Sequence, residues 1–92
     1  MDTPMAGSGA DFDYLSNEYS QALEAWRTID AQASTLVMLG NEDELRGFID
    51  RFVEMARGTR QLAEEKNEPH FVEWFHELIV RAEQLRRSLA ER

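Results

Sequence analysis

Apolar side chains recur at alternating steps of three and four residues through the first part of the chain, which is the spacing of one face of an α-helix. The pattern predicts a first helix over about residues 12–39 that ends at the Gly40-Asn41 turn. Its apolar stripe consists of Phe12, Leu15, Tyr19, Ala22, Trp26, Ile29, Ala33 and Leu36.

Two further helices with the same spacing follow. Asn41 and the three acidic residues after it are typical of a helix start, so a second helix is predicted over about residues 42–66. Pro69 suits the first turn of a third helix, over about residues 69–91. The second stripe contains Leu45, Phe48, Phe52, Met55, Thr59 and Leu62, flanked by Ile49, Val53, Ala56 and Ala63, and the third contains Phe71, Phe75, Leu78, Ala82, Leu85 and Leu89, flanked by Val72, Trp74 and Ile79.

Three long helices joined by tight turns predict an all-α, antiparallel up-down-up three-helix bundle over residues 11–92. Residues 1–10 are small and polar, and they predict a flexible tail. The second and third stripes are wider than one three-helix core requires, so the pattern also predicts self-association as a homodimer. The aromatic residues that we expect at an interface are Trp26, Phe48, Phe52, Phe71, Trp74 and Phe75.

The charge of the chain is unevenly distributed. The 92 residues include 18 acidic and 10 basic side chains, a formal charge of −8. Residues 1–45 hold nine acids and one base, Arg27, whereas residues 46–92 hold nine of each. The acidic half repels phosphate backbones and anionic lipids, so binding to nucleic acid or to a membrane is disfavoured. It suits self-association or a basic protein partner.

The carboxyl end of the third helix is rich in arginines that could meet such an acidic surface. A second copy could place its acidic first helix against this arginine-rich end. Glu83 is spaced to pair with Arg86 and Arg87 within the helix, and it also weakens the patch as a nucleic-acid site. The arginines of this end are Arg81, Arg86, Arg87 and Arg92.

The sequence contains no cysteine, no apolar run long enough to span a membrane and no signal-peptide pattern at its start. It also lacks a Gly-x-Ser-x-Gly elbow and a phosphate-binding glycine loop. We therefore expect a cytoplasmic protein-protein interaction module of the adaptor, chaperone-like or regulatory kind, without catalysis or a cofactor.

Glu73 and His76 have the Glu-x-x-His spacing of ferritin-like di-metal helices, and Glu18 and Glu24 on the first helix could complete a metal cluster. On the helical wheel, however, Glu73 lies about 160° and His76 about 100° from Phe75, so neither points into the core. The favoured interpretation is a solvated glutamate beside a histidine on the flank of the stripe. A metal-binding, ferritin-like protein that uses Glu73 and His76 is the alternative.

Asp30 and Arg86 are charged residues within the predicted apolar stripes. Asp30 lies about 40° from Trp26 on the wheel, and a buried carboxylate needs a partner or water. Arg86 is a candidate partner, because the first and third helices are predicted to run parallel. Alternatively, each charge is solvated separately where a stripe frays or the bundle end admits water. Both interpretations favour a role in helix register over catalysis.

Residues 43–50, Asp-Glu-Leu-Arg-Gly-Phe-Ile-Asp, resemble the opening of the helical chorismate mutases, small three-helix dimers that begin a long helix with a Leu-Arg-x-x-Ile-Asp phrase. The resemblance implies a small mutase-like enzyme with an arginine-lined pocket for two carboxylates. The family carries two further cations along that helix, and the corresponding positions here are Ala63 and Trp74.

Overall fold

The computed structural model describes residues 9–91, and all regular structure within this range is α-helical. Helix α1 spans Gly9–Met38, α2 spans Glu42–Glu65 and α3 spans Pro69–Ala90, and the three helices pack against one another. The predicted all-α, three-helix fold class is confirmed. Helix α1 begins three residues earlier than predicted, so residues 9–10 belong to the helix rather than to a tail. The rest of the predicted tail, residues 1–8, lies outside the described residues.

Both helix connections are turns closed by backbone hydrogen bonds. At the end of α1, the Asn41 amide donates to the Leu36 carbonyl at 2.8 Å and the Gly40 amide donates to the Val37 carbonyl at 3.1 Å. This is the Schellman arrangement, and it requires the left-handed φ of +78° that Gly40 adopts. Asn41 occupies the predicted N-cap position of α2, but its side chain makes no capping hydrogen bond.

The second connection repeats this geometry with Asn67 in the glycine position. Asn67 has a φ of 59°, and the Glu68 amide donates to the Ala63 carbonyl at 2.9 Å. Asparagine tolerates the left-handed region better than most residues, which explains why α2 ends here. Pro69 then occupies the first turn of α3, as predicted.

One apolar core contains buried side chains from all three helices. Helices α2 and α3 pack against each other more extensively than either packs against α1. The largest fully buried side chains are Phe71, Phe75, Leu15, Leu45, Ile49 and Leu78. No helix in the described range is both long and apolar enough to cross a membrane.

The buried face of α2 differs from the predicted stripe. Ile49 and Val53, which were predicted on its flank, are buried, whereas Met55 is 39% exposed and Phe48 is only partly buried. The reason is that α2 packs more extensively against α3 than against α1. That contact buries the Ile49 and Val53 side of α2 and leaves Phe48 and Met55 at the seam with α1.

Contacts between specific residues define how the helices lie against one another. Lys66, just after α2, lies with its Nζ 3.8 Å from Oδ1 of Asp11 near the start of α1. The rings of Phe12 and Phe71 pack edge to face with centroids 5.3 Å apart. The start of α1 therefore lies beside both the end of α2 and the start of α3.

Candidate functional site

An open groove of about 430 Å³ follows the seam between α1 and α2. It is predominantly apolar, and α3 does not contribute to it. The residues that line the groove are Ala25, Thr28, Ile29 and Gln32 from α1 and Phe48, Arg51, Phe52 and Met55 from α2.

The floor of the groove belongs to the core, whereas its edges are accessible. Ile29 and Phe52 are buried, and the Phe52 ring packs against Trp26 with centroids 6.0 Å apart. Phe48 is partly buried and Met55 is 39% exposed. A buried apolar floor with accessible apolar side chains at its edge is typical of a surface that binds an apolar side chain of another molecule.

The groove carries a positive charge on its α2 edge. Cζ of Arg51 lies 5.4 Å from the centroid of the Phe48 ring, which is cation-π geometry. Arg51 is exposed and is the single charged side chain among the lining residues. The stacking therefore holds a guanidinium beside the apolar groove.

The α1 edge carries the opposite charge one turn away. The Thr28 hydroxyl donates a hydrogen bond to the backbone carbonyl of Glu24 at 3.0 Å, and Glu24 is exposed. Residues four apart lie on one side of a helix, so Glu24 adjoins the Thr28 edge of the groove. The groove is thus flanked by a glutamate on α1 and an arginine on α2.

Two glycines lie on α2 near Arg51, and packing within the chain requires neither of them. A Cβ atom added to Gly58 would meet nothing within 4 Å, and one added to Gly47 would meet only Nη1 of Arg51, at 3.6 Å. Each glycine is less favourable in a helix than alanine by about 1 kcal/mol. The surface of α2 beside Arg51 therefore lacks a side chain at two positions.

Charged side chains join α2 to α3 on the side of α2 away from the groove. Arg86 donates to both carboxylate oxygens of Asp50, from Nε at 2.9 Å and from Nη2 at 3.3 Å. Arg57 donates to Glu83 in the same region. Arg86 therefore pairs with Asp50 and not with Asp30, for which it was one candidate partner. Asp30 is exposed on α1, and α2 supplies a carboxylate within reach of Arg86.

We expect the Asp50-Arg86 pair to contribute less than about 1 kcal/mol to stability, because both side chains are substantially exposed and water screens the interaction. A double-mutant cycle with Asp50→Ala, Arg86→Ala and the combined variant, followed by urea unfolding, measures the coupling free energy. A coupling above about 2 kcal/mol would show that the pair is more desolvated than its exposure indicates.

Glu73 and His76, the candidate metal ligands, do not belong to a larger group of metal-binding side chains among the described residues. Both residues are exposed, and Nδ1 of His76 lies 3.3 Å from Nη1 of Arg60. A guanidinium beside the imidazole disfavours a metal cation at that nitrogen. In the described part of the chain, no group of three or more histidine, cysteine, aspartate or glutamate side chains is arranged to hold a metal ion.

Most of the aromatic residues predicted at an interface belong to the core of the single chain. Trp26, Phe52, Phe71 and Phe75 are buried, so their rings already pack against the rest of the bundle. The two accessible members of the predicted set are Phe48, at the groove, and Trp74, which is 42% exposed.

Trp74 belongs to an aromatic cluster at the seam of α1 and α3. Its ring centroid lies 5.2 Å from that of Tyr19, 5.3 Å from that of Phe71 and 6.3 Å from that of His70. Aromatic contacts thus lie along the seam of α1 and α3, whereas the groove follows the seam of α1 and α2.

The residues that resemble the mutase motif have structural roles in the bundle. Leu45 and Ile49 are buried in the core, and Arg46 forms an ion pair with Asp43 at 2.7 Å. Helix α2 ends at Glu65, so the two positions where the family has further cations are separated. Ala63 is buried on α2, and Trp74 lies on α3.

The sequence pattern included the groove residues without identifying the groove. Phe48 and Met55 were predicted in the centre of the α2 stripe, and Arg51 was not singled out. The width of the stripe was an available signal. The apolar side chains of α2 extend from Phe48 and Met55 on one side to Ile49 and Val53 on the other, and we expect the core to bury one of these sides more than the other.

No protein-family model, curated protein or solved structure matches this chain.

Proposed function

We propose that this protein is a small helical protein-protein interaction module, of the adaptor, chaperone-like or regulatory kind, rather than an enzyme. The observation that carries the proposal is the apolar groove between α1 and α2, with Phe48 and Met55 at its accessible edge. Apolar surface that a chain leaves open on one side of its core is a common feature of binding sites. In this proposal the protein is cytoplasmic and works without a cofactor.

The proposal includes two partners, a second copy of the chain and a protein with a basic surface. Support for the basic partner comes from the composition of α1, which has five acids and one arginine between Gly9 and Met38. Asp13, Glu24 and Asp30 are all exposed on this helix. Such a surface speeds and orients the approach of a cationic protein, with an effect that weakens as salt increases.

We also infer that the helices run up-down-up, with antiparallel neighbours. The contact between Asp11 and Lys66 and that between Trp26 and Phe52 are those expected when α1 and α2 run in opposite directions. The contact between Phe12 and Phe71 is expected when α1 and α3 run in the same direction. This arrangement makes the groove one continuous seam between two antiparallel helices.

Replacing Met55 by glutamate should remove partner binding at the groove without unfolding the chain, because the side chain is already 39% exposed. The matched control is Met38→Glu, the same chemical change at a methionine that is 83% exposed at the end of α1. Each tagged variant is incubated with a lysate of the native host, and bound proteins are quantified by mass spectrometry at low and high salt.

We expect at least one partner, captured in a constant ratio to the bait, to decrease about tenfold with Met55→Glu, equivalent to about 1.4 kcal/mol, and to remain with Met38→Glu. Purified partner and titration calorimetry then give the two dissociation constants directly. Identical sets of bound proteins for the wild type and Met55→Glu would count against the groove as the binding site.

A further inference from the structure

We propose that a second copy of this chain covers the groove between α1 and α2, in a twofold-symmetric dimer in which α1 of each copy packs against α2 of the other and Arg51 of each copy faces Glu24 of the other. This inference rests on the proposed function, because it names the occupant of the same groove. It differs from the dimer predicted from the sequence, in which α1 met the arginines of α3.

The charge of the groove favours an acidic occupant. Arg51 is the single charged side chain in its lining and is stacked on Phe48 at the groove edge. A basic helix placed here would bring like charges together in a partly desolvated site, whereas a carboxylate would form an ion pair with the guanidinium. The occupant therefore carries an acidic side chain on the surface that faces Arg51.

Helix α1 of this chain meets that requirement. It carries five acids and one arginine over its 30 residues. Glu24 adjoins the accessible α1 edge of the groove, where Ala25 and Thr28 lie beside the buried Ile29. Each copy thus carries Arg51 on one edge of its groove and Glu24 on the other. The same surface of both copies then forms the contact, as a twofold-symmetric (isologous) interface requires.

A twofold axis parallel to the groove places α1 of each copy against α2 of the other at the same height along the bundle. The contact between Trp26 and Phe52 fixes which residues of the two helices lie at one height. Counting from that contact, Glu24 and Arg51 lie within about one helical turn of each other, a distance that an arginine side chain can span. The same pair then forms twice in the dimer.

The outline of the face has the dimensions of a dimer interface. Two helices side by side, about 10 Å apart and overlapping over about 35 Å, present roughly 700 Å² per copy, close to the 800 Å² of a standard interface. Gly47 and Gly58 lie on α2 near Arg51 and leave space for close approach of another backbone. Close packing of a second copy would explain why α2 has glycine at these two positions, which packing within one chain does not explain.

The test exchanges the two charges. Arg51→Glu places glutamate opposite Glu24 in both contacts, and Glu24→Arg places arginine opposite Arg51 in both. The double variant and an equimolar mixture of the two single variants each restore opposite charges at both contacts. Dissociation constants are measured by sedimentation equilibrium from about 1 µM to about 1 mM, and circular dichroism checks that every variant is helical.

We expect a wild-type dimer, a dissociation constant raised at least about tenfold in each single variant, and recovery to within about threefold of wild type in the double variant and in the mixture. Control variants with the same charge changes away from the groove face, Asp30→Arg on another side of α1 and Arg87→Glu on α3, should associate like the wild type. Both control residues are exposed.

A wild-type protein that stays monomeric over the whole range would overturn the inference, as would single variants that associate normally or charge exchange without recovery. Loss of the dimer in Arg87→Glu alone would instead favour the arginine-rich end of α3 as the contact. If the chain is monomeric but Met55→Glu still loses a partner from the lysate, the proposed function stands and only the second copy is excluded. A monomer with no partner at the groove excludes both.

Discussion

Replacing Phe75 by alanine is expected to lower the free energy of unfolding by about 3–5 kcal/mol. The Phe75 side chain is fully buried, and its ring packs edge to face against Tyr19 with centroids 5.6 Å apart. Removing it loses the transfer free energy of the ring and leaves a cavity where α1 and α3 meet. Since small domains have total stabilities of about 5–15 kcal/mol, this one change should remove a large fraction of the stability.

Urea unfolding followed by circular dichroism measures the effect as a lower midpoint at an unchanged slope. Trp74→Ala is the matched control, because it removes the neighbouring aromatic side chain, which is 42% exposed. It should lower the free energy of unfolding by about 1–2 kcal/mol, mainly through its ring contacts with Tyr19 and Phe71. Equal losses at the two positions would contradict the assignment of Phe75 to the core and Trp74 to its edge.

The helices and turns could be predicted from the sequence because their causes are local. The stop at Gly40 depends on a left-handed φ that glycine adopts readily, and the start at Pro69 depends on a ring that fixes φ. The earlier start of α1 was not predictable from the apolar pattern, since Gly9 and Ala10 carry no side chain that marks a buried face.

The orientation of α2 about its own axis could not be predicted in the same way. Its apolar residues cover a wide arc, and the pattern alone gives no reason to choose the Phe48 and Met55 side or the Ile49 and Val53 side for the core. That choice depends on how extensively α1 and α3 each pack against α2. The groove exists because α2 buries its Ile49 and Val53 side and leaves Phe48 and Met55 accessible. The candidate site therefore depends on the packing of three helices and could not be predicted from the pattern of α2 alone.

The ion pairs between helices also could not be predicted from the sequence. Spacing along α3 predicts pairing of Glu83 with Arg86, but Glu83 accepts from Arg57 and Arg86 binds Asp50, both on α2. Sequence spacing identifies neighbours within one helix, whereas contact between helices depends on their relative rotation and height. The uneven charge of the chain was evident from the sequence, but the place of Arg51 beside an apolar groove was not.

Replacing both Gly47 and Gly58 by alanine is expected to raise the free energy of unfolding by up to about 2 kcal/mol, about 1 kcal/mol at each site. The added Cβ atom at Gly58 meets nothing within 4 Å, and that at Gly47 makes an ordinary contact with Arg51. Alanine reduces the conformational entropy of the unfolded chain without strain in the helix. The sites are about 16 Å apart along α2, so the two effects should add.

Thermal and urea unfolding at a protein concentration well below the dissociation constant of any dimer give the effect on the single chain. Gly40→Ala is the control, because a φ of +78° strains any side chain and the substitution should destabilise by about 1 kcal/mol. A loss of stability with Gly58→Ala would mean that the chain itself needs the glycine. A gain shows that the chain retains two residues that lower its own stability, and close approach by a second copy on that face of α2 supplies a physical reason for keeping them.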